Sequence, residues 1–206
     1  MADQRFHTWD EYFLSVVKRA VQERPLHVPF RFDGLGGRHL AVARIATDLS
    51  ELLKGKVRAD TRIRIVGFDG FSLCVRDYPW RRSLAEWLTT GATIRYLLQQ
   101  PLAETASAVE DIRAQVSPQS PGTLTLRKAA PDAPSGFADQ WRTFHFVILE
   151  NPSILWIETR HPHGQTEALD CYFFDEDLAP DVPGGRALAA QFDRVFEHES
   201  SPYLEA

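Results

Sequence analysis

The sequence predicts an α/β protein, a mixed central sheet flanked by helices. Three observations carry that prediction. From Thr61 onward, short apolar runs such as Ile63–Val66 alternate with stretches of helical period closed by glycine, the order that builds a layered α/β unit. Two apolar runs within Thr143–Glu158 flank Glu150-Asn151-Pro152-Ser153 and read as a hairpin. At 206 residues and 44% hydrophobic content, the chain can bury one substantial core.

Taken in order, Thr8 is the expected N-cap of a first helix, with Asp10 and Glu11 in its first turn and a stripe of Trp9, Phe13, Val16, Val17 and Ala20. Pro25 ends it. Leu26–Asp33 reads as a short strand, and Asp33–Gly37 turns the chain into an amphipathic helix that Gly55 closes. Ile63, Ile65 and Val66 mark the next strand, and FSLCVRD is expected as a second short strand or a loop. Trp80, Leu84, Trp87 and Leu88 define a helix stopped by Gly91, and ATIRYLLQQP is a strand. Leu102, Ala106, Val109 and Ile112 stripe a further helix, TLTLRK is a strand, and Ala129–Gly136 is a surface loop. After the hairpin, RHPHGQTEALD reads as a polar loop and CYFFDEDLA as a strand. Leu188, Phe192, Val195 and Phe196 then line a final helix.

Composition narrows the function classes. A formal charge of −5 with 25% charged residues gives little grip on a phosphate backbone, so nucleic acid is not favoured as a partner. Cys74 and Cys171 form no CxxC pair, which argues against a disulfide framework or a zinc knuckle and for a reducing compartment. With no leader-like N-terminus and no apolar run of membrane-spanning length, the expectation is a cytoplasmic protein with no membrane association.

Several local features then follow in a fixed order: IRIVGFD before a helix, the helix–glycine–strand step WLTTGATIRYLLQ, FHFVIL, LWIE, CYFFDEDLA and the closing FDRVFEHES. Together they resemble one half of the phospholipase D superfamily. The resemblance implies a phospholipase D-like single half over residues 61–206, with residues 1–60 as an N-terminal helical extension to one compact unit. The family signature is His-x-Lys-x4-Asp, usually followed by a Gly-Ser-x-Asn turn. Its histidine attacks phosphorus, its lysine holds non-bridging oxygens and its aspartate supports the histidine. Two such motifs make one site, so a single half would dimerise. His145 matches the histidine, but Val147 stands at the lysine position, Pro152 at the aspartate position, and Ile154–Glu158 replaces the Gly-Ser-x-Asn turn. The resemblance therefore implies the fold with a degenerate active site.

The candidate residues follow from this. His145 is the one polar residue of a strand apolar on both faces, and Glu158 on the paired strand is its expected carboxylate partner. A structural or binding duty is favoured over catalysis. Gln165 stands at the lysine position of a second partial match, His163 to Asp170. Gly34, Gly36, Gly37 and Arg38 form a glycine-rich helix entry that, with Arg95, could receive an anion, although the spacing fits no phosphate-loop fingerprint. His161 and His163, with His145, Asp170 and Cys171, could be drawn as metal ligands, but Pro162 and Gly164 indicate a turn, so no metal and no cofactor is expected. Arg81 and Arg82 read as a solvated helix face, and the tryptophans as core. The resulting expectation is a non-catalytic accessory or regulatory protein acting through a protein partner, a homodimer or a small anionic ligand. The alternatives are a homodimeric phosphodiesterase or nuclease using His145, and a nucleotide or anion sensor.

Overall fold

A computed structural model describes residues 26–32, 47, 49–67, 69–74, 79–130, 144–163, 166–174 and 185–203. Within these, residues 26–32, 144–145, 159–163, 166–174 and 185–187 are described by backbone placement. The expected first helix and the Gly34–Arg38 turn lie outside the described residues, as do Gln165, Arg76 and Trp141.

The described elements are β1 (Leu26–Phe32), β2 (Arg62–Gly67), α1 (Phe71–Cys74), α2 (Pro79–Thr90), β3 (Thr93–Leu98) and α3 (Thr105–Ala114). They continue as β4 (Thr123–Ala129), β5 (Phe144–Glu150), β6 (Ile154–His163), β7 (Thr166–Phe174), α4 (Gly185–His198) and β8 (Ser200–Pro202). All strands join one 8-stranded sheet in the order β1-β7-β6-β5-β2-β3-β4-β8. Only β2, β3 and β4 run parallel among the described pairs, joined by helical crossovers; the rest pair antiparallel. The mixed sheet flanked by helices is thus the observed architecture. The β1 strand, inside residues 1–60, pairs with β7 from Leu26 opposite Phe173 to Phe32 opposite Glu167.

The two faces of the sheet follow from strand alternation. One carries Ile63, Ile65, Ile94, Tyr96, Leu124, Leu126, Val147, Leu149, Ile154 and Trp156, which pack with the apolar stripes of α2 and α3 and with Leu49 and Leu53 into one buried cluster. The other buries Val66, Leu97, Phe146, Ile148, Leu155 and Ile157. There α4 contributes Leu188, Phe192, Val195 and Phe196, with the Phe146 and Phe192 rings 6.4 Å apart edge to face.

The helix ends show why the sequence stops them where it does. Pro79 opens α2, where a missing N–H costs nothing. Gly91, at φ 110°, closes it: Gly91 N–H donates to the Leu88 carbonyl at 3.1 Å and Ala92 N–H to that of Trp87 at 3.0 Å, a Schellman closure. The FSLC run forms a single helical turn, α1, instead of the expected strand or loop. Gly70 at φ 72° precedes it, and Asp69 Oδ1 accepts from Phe71 N–H at 3.0 Å. RHPHGQTEALD also departs from its expected loop, because β6 runs through Pro162 to His163 and β7 resumes at Thr166 in register. Its polar residues belong to a long hairpin. β8, unmarked in the sequence, is three residues laid along the edge of β4.

Candidate functional site

The C-terminal ends of parallel strands are where α/β sheets ordinarily receive ligands. At that rim, on the α1–α3 face, antiparallel β5 begins. His145 is the register partner of Glu158, and Glu158 in turn of Cys171 on β7, so the three positions form one row across adjacent strands of one face. One step into the core, the next row is Val147 and Trp156, 4% and 0% exposed. The Trp156 indole N–H donates to Glu158 Oε1 at 3.0 Å.

Tyr96 completes the inner wall. Gly67 makes room for it: a Cβ there would lie 3.0 Å from Tyr96 Cε1 and 3.1 Å from its hydroxyl oxygen. Burial pushes the Tyr96 phenol well above its ordinary range, opposed by a long 3.5 Å contact to the Ser72 hydroxyl and reinforced by the negative charge of Glu158 and Asp69. It is a neutral hydroxyl throughout the physiological range. Asp69 pins the turn between β2 and α1, since its backbone carbonyl also accepts from Leu102 N–H at 3.0 Å. Burial raises the Cys74 thiol too, against the lowering effect of the Thr105 hydroxyl 3.7 Å away, so this cysteine is not a poised thiolate.

The two positions that the phospholipase D resemblance sets against a lysine and an aspartate are Val147 and Pro152. Val147 is packed in the helix-side core. Pro152 is buried in the turn beyond Glu150, and at strand rise the length of β5 from His145 to Glu150 separates the two by roughly 17 Å. That turn is held by the Thr61 hydroxyl, which donates to the Asn151 carbonyl.

Strand parity divides the other candidates. His161 and His163 alternate with Glu158 and so occupy the opposite face of β6, opposite Ala168 and Thr166; Asp170 falls on that same opposite face. The sheet therefore separates His145 and Cys171 from His161, His163 and Asp170. Among the described residues, no group of three or more histidine, cysteine, aspartate or glutamate side chains is placed to hold a metal ion. No described helix is long and apolar enough to cross a membrane.

Arg95 lies under α4, on the face away from His145. Its guanidinium pairs with Asp193 at 3.3 Å and Glu197 at 3.1 Å and sits 5.3 Å from the centroid of the Phe196 ring. It belongs to a ladder invisible in the sequence. Arg64, its register neighbour on β2, donates through Nε and Nη2 to both oxygens of Asp193 at 2.9 Å each, and through Nη1 to Glu150 at 3.1 Å. Arg127 on β4 stacks on Phe196 from 5.5 Å and donates to Ser200 Oγ and carbonyl at 2.8 and 2.7 Å. Hydrogen bonding to Asp193 is the main reason the Arg64 guanidinium is held above its usual range, against the lowering effect of burial. Arg81, expected in solvent, is instead 4% exposed and bridges α2 to α3 through the Ala108 carbonyl and Asp111, at 3.1 and 3.0 Å.

Of the residues at this rim, the sequence singled out His145 and Glu158 as candidates, read Trp156 as core and did not point to Tyr96 or Asp69. Gly67 at the end of a predicted strand was the available signal for a large side chain crossing it.

No family model matches the chain. No curated protein matches it. Among solved structures, the crystal structure of polyphosphate kinase from Porphyromonas gingivalis is similar with a TM-score of 0.49 and 8% identity, over 92% of this chain. The chain spans 28% of that protein's length. No residue role passes from it to this chain.

Proposed function

We propose that this chain is a degenerate phospholipase D-like half that acts by binding, as an accessory or regulatory protein, and does not transfer phosphoryl groups. The observation that carries the proposal is the burial of Val147. At 4% exposure among the core residues of β2, β6 and α2, it leaves no room at the lysine position for a cation to meet a phosphoryl oxygen. The rim instead offers a histidine position opposite a carboxylate and a neutral phenol at its inner wall, groups suited to hydrogen bonding.

A single specific observation favours a second role, the homodimeric phosphodiesterase: His145 stands opposite Glu158, the arrangement a supported nucleophile requires. One assay separates the two. Purified full chain is incubated with bis(p-nitrophenyl) phosphate and with single-stranded DNA, alongside His145→Ala. The binding role predicts no turnover by either protein, and turnover that His145→Ala abolishes would overturn it.

A further inference from the structure

After α4 the chain passes around an edge of the sheet. The Glu199 carbonyl accepts from Ala130 N–H at 2.9 Å, β8 runs along β4, and Tyr203 N–H donates to the Leu126 carbonyl at 3.2 Å. α4 packs on one face, whereas the Tyr203 ring packs against the cluster on the other. The Tyr203 hydroxyl donates to the Leu102 carbonyl at 3.1 Å, in the loop between β3 and α3 and 101 residues away along the chain. That carbonyl also takes Thr105 N–H at 3.0 Å, so both of its lone pairs are used, one by a donor from outside the loop.

Leu102 N–H donates in turn to the Asp69 carbonyl at 3.0 Å, and the Thr105 hydroxyl reaches the same carbonyl at 3.5 Å. Asp69 Oδ1 caps Phe71 N–H, and Gln99 N–H donates to the Gly67 carbonyl at 3.2 Å. Gly70 lets the two loops close together, because a Cβ there would stand 3.2 Å from Thr105 Oγ1. The loops after β2 and β3 are thus bonded side by side at the rim where parallel strands end.

We propose that residues 199–203 form a strap that latches this rim: the Tyr203 hydroxyl holds the β3–α3 loop at Leu102 and, through it, the turn that carries Asp69. An apolar ring with one polar tip suits the task, since the ring anchors in the core and the tip reaches the loop. Neither loop is part of a strand ladder, so each opens at low cost unless it is tied from outside. The latch rests on the rim being the binding surface proposed above, and gives that surface a control point outside itself.

The test is amide hydrogen exchange of the full chain, read residue by residue by NMR, in the natural chain and in Tyr203→Phe, which keeps the ring and removes only the hydroxyl. Loss of a hydrogen bond of ordinary net strength accelerates exchange about fivefold at the Leu102 and Phe71 amides. The Ala92 and Thr93 amides, bonded to the Trp87 and Thr61 carbonyls at the opposite rim, keep their rates. Coupling is reciprocal, so Asp69→Ala, which removes the acceptor of Phe71 N–H, accelerates exchange at the Tyr203 amide on the strap. An unchanged Phe71 amide in Tyr203→Phe, an acceleration shared equally by Ala92 and Thr93, or a Tyr203 amide indifferent to Asp69→Ala overturns the proposal. Failure of the binding role would appear separately, as phosphodiester turnover that His145→Ala abolishes.

Discussion

Replacing Asp193 by alanine removes the acceptor of two parallel hydrogen bonds from Arg64, 2.9 Å each, and of a third from Arg95 at 3.3 Å. The Arg64 side chain is 11% exposed, so its guanidinium cannot turn to bulk water, and Glu150 at 3.1 Å remains to it. Truncating one partner of a fully buried ion pair costs about 3–5 kcal/mol. Asp193 is itself 35% exposed, and Glu150 survives, so solvent screening and residual pairing reduce the expected loss to about 2–3 kcal/mol. With a urea dependence of about 2 kcal/mol per molar, the unfolding midpoint falls by about 1–1.5 M at unchanged slope. The double replacement Arg64→Met with Asp193→Leu recovers most of that loss, because the buried guanidinium leaves together with its partner and Arg95 keeps Glu197 at 3.1 Å. A cost below about 0.5 kcal/mol for Asp193→Ala, or a double variant as unstable as the two single changes added together, would refute the argument that this pair is a buried, interdependent unit.

Three further outcomes are expected. Because burial holds the Tyr96 phenol protonated in the folded chain, the unfolded chain releases that proton first, so stability falls as pH rises past about 10; Tyr96→Phe flattens that decline in urea midpoints measured between about pH 9 and about pH 11, and equal slopes would contradict it. Val147→Lys places an ammonium in the helix-side core, lowering stability by about 3 kcal/mol or more without creating phosphodiester turnover, and a gain of turnover would count against the binding role. Gly122→Ala drives a Cβ into the Leu88 carbonyl, whereas Gly55→Ala meets nothing within 4 Å and carries only the cost of its φ of 72°, about 1–2 kcal/mol; thermal melting ranks Gly122→Ala as the more damaging, and the reverse order would show that the α2–β4 approach is looser than the structure has it.

What the sequence revealed depended on how local the signal was. β2, β3, α2 and α4 were readable because each carries its own period and stop, such as the stripe ending at Gly91. The hairpin about Asn151 was readable too, but the register that sets Glu158 opposite His145 was left open by the sequence and is fixed by how the turn is built. FSLC failed because a run of four residues, three of them apolar, fits a strand or a helical turn equally, and the choice was made by Asp69 and Gly70 just outside the run. RHPHGQTEALD failed because its histidines, proline and glycine resemble loop chemistry, while its pairing is imposed by the strands it extends. The Arg64–Asp193 clamp could not be read at all. Its partners are 129 residues apart, and only the crossing of α4 over β2, β3 and β4 joins them.

The placement of β1 has a consequence for how the protein is made. As the chain leaves the ribosome, β2, β3 and β4 can close on α2 and α3 once residue 129 has emerged, but Leu26 must wait for Phe173 before the outer wing of the sheet exists. At ordinary translation speeds that wait is on the order of ten seconds, during which LHVPFRF is a nascent strand without its mate. Unpaired strands recruit strangers, and Pro29, which has no N–H to offer, interrupts the run that a stray strand would pair with. The proline that marks β1 as unsuited to the middle of a sheet thus also shields it while it waits.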